Sequence, residues 1–128
     1  MRRKVEKILK DLGCDDKELS ILLTDDERIA QLNKHYLGRE GPTNVLAFPM
    51  GPDSFPKVPS YMMGDVVISL ETAVRESKEQ GEPSERVVDR LLIHGILHLL
   101  GYDHEISSEE SLRMDQEEHR LMALLEEE

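Results

Sequence analysis

One segment limits the architectures open to this chain more than any other. In residues 84–100 the apolar side chains of Val87, Val88, Leu91, Leu92, Ile96, Leu97, Leu99 and Leu100 recur at helical spacing and cover most of a helix's circumference. A helix that is apolar nearly all round has no face to give to solvent, so it must be central, with other elements packed about it. Gly101 supplies its stop. The second half of the segment carries two histidines, His94 and His98, and a third, His104, follows the glycine.

Other elements must cover that helix. Residues 2–12 place Val5, Ile8, Leu9 and Leu12 on one helical face, with Gly13 as terminator. Residues 18–23 hold Leu19, Ile21, Leu22 and Leu23, a run short enough for a buried strand. Thr24 with Glu27 makes a capping-box pattern opening a helix with Ile29, Leu32 and Tyr36 on one face, expected to end near Gly38. Gly38 to Pro42 reads as a loop, 44–48 as a short strand closed by Pro49, and the proline-rich stretch 51–59 as a mobile surface loop. Val66, Val67 and Ile68 mark another strand, 70–81 an exposed helix, and Ser107 with Glu110 a second capping box before a helix bearing Leu112, Met114, Leu121, Met122, Leu124 and Leu125. Helices interspersed with strands predict an α/β (α+β) fold: a small mixed sheet flanked by helices, one domain over residues 1–128.

Composition narrows the setting. The core is aliphatic, since the chain has no Trp, two Phe and three Tyr. No apolar run approaches a membrane span, no signal core follows the N-terminus, and the single cysteine, Cys14, suits a reducing compartment, so a cytoplasmic protein is expected. Cys14 is expected to fill a gap at a helix end. The formal charge of −11 argues against broad polyanion binding. Residues 105–128 alone account for −7, however, so the excess lies in the last helix and tail, and Lys34 and Arg39 can still make a local positive site with a bound cation.

His94 and His98, four residues apart, project from one helical face, where two imidazoles can reach one metal ion. Gly101 lets the chain turn back so that His104 supplies a third. The His-x-x-x-His-x-x-Gly-x-x-His spacing is that of a three-histidine site, and three neutral ligands with one open position are what a catalytic zinc ion uses. Metal proteases with this spacing carry a glutamate base directly after the first histidine. Here that residue is Gly95, which has no base to offer and leaves room for a close approach. Asp103 could orient a ligand or form the turn, while His35 and His119 sit among charged residues on exposed faces.

The stretch from Arg90 through His104 resembles the signature of the YbeY family of metal-dependent endoribonucleases. Leu32-Asn33 with Tyr36, Pro42-Thr43-Asn44-Val45-Leu46, Phe48-Pro49 and Gly64-Asp65-Val66-Val67-Ile68-Ser69 resemble further family motifs, in family order. The resemblance implies a mixed sheet flanked by helices, one zinc ion per chain on His94, His98 and His104, and cleavage of single-stranded ribosomal RNA in small-subunit 3′ maturation and ribosome quality control. It also implies the small ribosomal subunit, one of its proteins and an assembly GTPase as partners, with no membrane or DNA role. Asp65 matches an aspartate that contacts the small-subunit protein; its alternative role is to cap a turn at a strand start. The family's cleft arginine meets Leu37 here, which leaves Arg39 as the basic catalytic residue and, with Lys34, the substrate-binding pair. Ala47 stands where relatives carry Ser or Thr, and the chain enters its first helix without the strand that precedes it in relatives. Two other readings are open: an assembly factor with a mainly structural metal, and a metal-dependent hydrolase of another substrate.

Overall fold

The computed structural model describes residues 1–49, 62–103 and 105–127. Its elements in chain order are α1 (Arg2–Asp11), β1 (Glu18–Thr24), α2 (Asp26–Leu37), β2 (Val45–Pro49), β3 (Met62–Ser69), α3 (Leu70–Gln80), α4 (Ser84–Leu99) and α5 (Ser108–Glu126). The expected loop at 51–59 lies outside the described residues.

The helix that is apolar all round is the centre of the fold. Leu92, Ile93, Ile96 and Leu97 of α4 are fully buried, and α4 packs against β2, β3, α3 and α5. The sheet beneath it is mixed and three-stranded in the order β1-β3-β2, with β1 parallel and β2 antiparallel to β3. β3, with a neighbour on each side, alternates its apolar residues between two buried faces as a strand's period of two demands. Val66 and Ile68 join the large core with Leu19, Ile21, Val45 and the residues of α1, α4 and α5. Val67 joins Leu46, Ile29, Leu32 and Phe48 under α2 on the other face. Ion pairs tie the helices at their rims: Lys4 to Glu85 and Asp89 at 2.9 and 3.0 Å, and Arg120 to Asp11 at 2.7 Å. No helix among the described residues is long and apolar enough to cross a membrane.

Both strand-to-helix junctions meet at one carboxylate. Asp26 Oδ1 accepts hydrogen bonds from Ser69 Oγ and Thr72 Oγ1, each at 2.6 Å, and Oδ2 pairs with Arg75 at 2.7 Å, so the first turn of α2 is joined to that of α3. These donors, the Ser69 hydroxyl foremost, hold the Asp26 carboxyl down at about 2.

Four expectations are corrected by the structure. β1 is an edge strand and not a buried one, with Leu22 and Leu23 43% and 40% exposed. The cap of α2 is Asp25, whose carboxylate accepts from the Arg28 amide at 2.8 Å, whereas Thr24 is still paired with Ser69 in the sheet. The strand runs one residue further than the capping-box pattern implies, and the charged acceptor at its end takes the role. Tyr36 is 61% exposed, and Asn33 instead occupies the inner face of α2 at 5% exposure. Leu112 is likewise outside the core, 58% exposed. The second capping box forms as expected in its first half, Ser107 Oγ accepting from the Glu110 amide at 3.1 Å.

Candidate metal centre

The approach of α4 to the sheet depends on a missing side chain. A Cβ on Gly95 would stand 2.7 and 3.1 Å from the two methyls of Val66 on β3, closer than packed carbon atoms come. The position that carries a glutamate base in the metal proteases therefore points into the core, so its residue type and its placement both exclude that chemistry here.

His94 and His98 come from successive turns of α4, half-buried and exposed respectively. Their rings stand edge to face at 73° with centroids 4.6 Å apart, and the two Nε2 atoms lie 3.1 Å from one another. Two imidazoles at about 2.0–2.1 Å from a tetrahedral zinc ion would hold their donor atoms about 3.3–3.4 Å apart, so this pair fits a shared ion to within a few tenths of an ångström. The other ring nitrogen of His94, Nδ1, meets Glu118 Oε1 of α5 at 2.6 Å.

After α4 the chain turns as its glycine predicts. Gly101 has φ +99°, its amide donates to the His98 carbonyl at 3.0 Å, and the Tyr102 amide donates to the Leu97 carbonyl at 3.1 Å, the paired bonds of a glycine-terminated helix. Tyr102 packs on the core with Arg113 over its ring, 5.5 Å from the centroid. Asp103 Oδ1 accepts from the Glu105 amide at 2.8 Å, so of its two expected roles it takes the turn-forming one. His104 itself lies outside the described residues. Among the described residues no three His, Cys, Asp or Glu side chains form a group that could hold a metal ion.

A cleft of about 290 Å³ opens beside the histidines. His94 and His98 form one wall, Val45, Ala47 and Pro49 of β2 another, and Leu37 and Arg39 the lip beyond α2. Arg39 thus shares the cleft with both described histidines and has no ion pair among the described residues. Asn33 holds its loop: the side-chain amide donates to the Gly41 carbonyl at 3.0 Å, and the backbone carbonyl accepts from the Arg39 amide at 3.3 Å.

The whole chain, not the cleft alone, decides the family. Residues 1–126 match the family model described as endoribonuclease YbeY. The chain belongs to the YbeY family. Relatives named endoribonuclease YbeY include those of Syntrophus aciditrophicus, 43% identical over 98% of this chain and 79% of the relative, and of Geobacter metallireducens, 44% identical over 100% and 86%. That of Persephonella marina is 49% identical over 87% of this chain and 72% of its own. The solution structure of TM1509 from Thermotoga maritima superposes with a TM-score of 0.68 at 28% identity, covering 96% of this chain and 77% of the other. The chain is accordingly an endoribonuclease, a hydrolase acting on RNA.

The remaining expected YbeY site residues are dispersed. Lys34 stands on exposed α2 and pairs with Glu40 at 3.6 Å, away from the cleft wall. Asp65 is in the middle of β3, opposite Ser20 and Phe48, so it caps no turn. Its strand neighbour Gly64 (φ +146°) lies where a Cβ would stand 2.2 Å from the Phe48 carbonyl oxygen, which accounts for the glycine of that motif. Cys14 packs at the end of α1 with Sγ 3.6 Å from the Leu12 carbonyl, as expected of a gap filler.

Sequence reasoning missed Asn33 and Glu118 as members of the site. Both carry a readable mark: Asn33 follows Ile29 by one turn, and Glu118 falls on the apolar stripe Met114, Leu121, Leu125 of α5. A polar residue in the phase of a buried stripe needs a partner inside.

Proposed function

We propose that this endoribonuclease cuts single-stranded ribosomal RNA, in maturation of the small-subunit 3′ end and in ribosome quality control, using one zinc ion held by His94, His98 and His104. The observation that carries the reading is the convergence of the His94 and His98 Nε2 atoms, 3.1 Å apart, in a cleft that also holds Arg39, which has no ion pair among the described residues. Zinc bound there supplies Lewis acidity toward a phosphoryl oxygen and the attacking oxygen. Arg39 supplies the fixed cationic fork: a guanidinium offers paired N–H donors to phosphate oxygens and stabilises the charge that develops on them. Asn33 keeps the Arg39 loop in place, and Gly95 lets α4 sit deep enough to form the cleft floor.

The charge distribution supports recruitment through a partner. With Lys34 compensated by Glu40 and the acidic excess on α5 and the tail, free RNA is held weakly and in a salt-sensitive manner. The small ribosomal subunit supplies the targeting, Asp65 contacts one of its proteins, and an assembly GTPase acts in the same cytoplasmic complex; the family motifs support these assignments.

The test is cleavage of defined ribosomal RNA fragments, single-stranded and duplex, by the zinc-loaded protein and by its His98→Ala variant, with bound zinc measured in parallel. Zinc is expected at one ion per chain, with cleavage confined to single strands and lost in the variant. Full cleavage by a zinc-free His98→Ala protein would refute the reading.

A further inference from the structure

The partner of His94 on α5 is Glu118. Glu118 Oε1 lies 2.6 Å from His94 Nδ1, with the glutamate side chain 16% and the histidine 27% exposed. The carboxylate comes from a firmly seated element, since Met114 and Leu121, one turn to either side, are fully buried. Its contact is to the ring nitrogen away from His98, so the His94 ring stands between Glu118 and the point where the two Nε2 atoms converge. Glu118 is therefore not placed as a ligand to an ion at that point.

We infer that Glu118 is the positioning residue of the metal centre, fixing His94 in the Nδ1–H tautomer with Nε2 turned toward the ligand point shared with His98. This rests on the metal reading above. An ionised carboxylate only accepts hydrogen bonds, so Nδ1 must carry the proton in a 2.6 Å contact. A neutral imidazole has one ring proton, which leaves the Nε2 lone pair directed at the 3.1 Å gap to His98. Ring rotation by half a turn would exchange Nδ1 for a carbon and break the contact, so the same bond also fixes which edge of the ring faces the cleft. Without Glu118, His94 samples both tautomers and both ring orientations, and metal binding must select one of them.

The experiment compares the unsubstituted protein with Glu118→Gln, Glu118→Ala and Glu109→Gln, the last removing the same charge from an exposed position on α5. Zinc affinity is measured by competition with a chromogenic chelator, and the His94 ring nitrogens of the zinc-free proteins are read by long-range 15N NMR. The zinc Kd is expected to rise about 10–100-fold in Glu118→Ala, by less in Glu118→Gln, whose amide oxygen can still accept the Nδ1–H bond, and to stay within about twofold in Glu109→Gln. The His94 spectrum should change from a pure Nδ1–H signature to a mixed one when Glu118 is lost. A structural role alone would lower melting temperature without altering the tautomer. An unchanged Kd in the Glu118→Ala protein, or an Nε2–H signature for His94 in the unsubstituted protein, overturns the inference. Failure of the unsubstituted protein to bind zinc overturns the metal reading itself, a separate result.

Discussion

Replacing Gly95 by alanine tests whether helix depth governs this cleft. The added Cβ would meet Val66 at 2.7 Å, whereas carbon atoms in a packed interior rest about 3.5–4.0 Å apart, so α4 must retreat by about 1 Å or the valine must turn. Val66 is fully buried, so turning it presses on its neighbours. Overpacking of this kind costs about 1–3 kcal/mol. The alanine returns about 1 kcal/mol through helix propensity, which leaves a net loss of about 1 kcal/mol. Val66→Ala alone loses two buried methyls and opens a cavity, about 2–3 kcal/mol. In the double variant the new methyl enters the space left by the valine, so the overlap vanishes and the helix gain remains. The pair should be more stable than the sum of the single changes by about 1–3 kcal/mol. Urea denaturation of the four proteins closes the cycle, and RNA cleavage should fall in Gly95→Ala as His94 and His98 move off the sheet, then recover in part in the double variant. Additivity within about 0.5 kcal/mol would refute the reasoning, since independent sites add and colliding ones do not.

Other consequences follow from single contacts. Asp26 is held at about 2 against an ordinary 3.8, so its contribution is present above about pH 4 and is lost as pH falls toward 2. With allowance for solvent at this rim position it is worth about 1 kcal/mol. Asp26→Asn should flatten the stability profile in that window, and an unchanged acid slope by urea titration would contradict it. Gly64→Ala sets a Cβ against the Phe48 carbonyl in a backbone conformation that L residues avoid, and a loss of about 3 kcal/mol or more is expected. A soluble variant melting within a few degrees of the original protein would count against the close approach. Asn33→Ala removes the side-chain bond to the Gly41 carbonyl and should cost about 1–3 kcal/mol. It should reduce cleavage through disorder of the Arg39 loop while circular dichroism stays unchanged; undiminished cleavage would disconnect Asn33 from that loop.

Some features could be read from the chain because their physical cause is local. The apolar circumference of residues 84–100 demands burial wherever the helix ends up, and α4 is central. His94 and His98 share a face because four residues make about one helical turn, and Gly101 stops the helix because it takes a positive φ without penalty. The bond network of Asp26 was less visible, since its donors Ser69 and Thr72 come from a junction more than forty residues away. The capping position of α2 shifted by one residue because the pairing of Thr24 with Ser69 extends β1, a long-range contact that local capping patterns do not contain.

By itself, then, the sequence determined the elements, the central helix and the common face of two histidines, all consequences of backbone geometry and side-chain period. Only the tertiary structure decided that Gly95 is the point of contact with Val66, that Arg39 shares the histidine cleft while Lys34 does not, and that Glu118 rather than another of the acidic residues on α5 meets His94. Those outcomes depend on which helix faces lie together across the sheet, and such distances are fixed by packing between elements far apart in the chain.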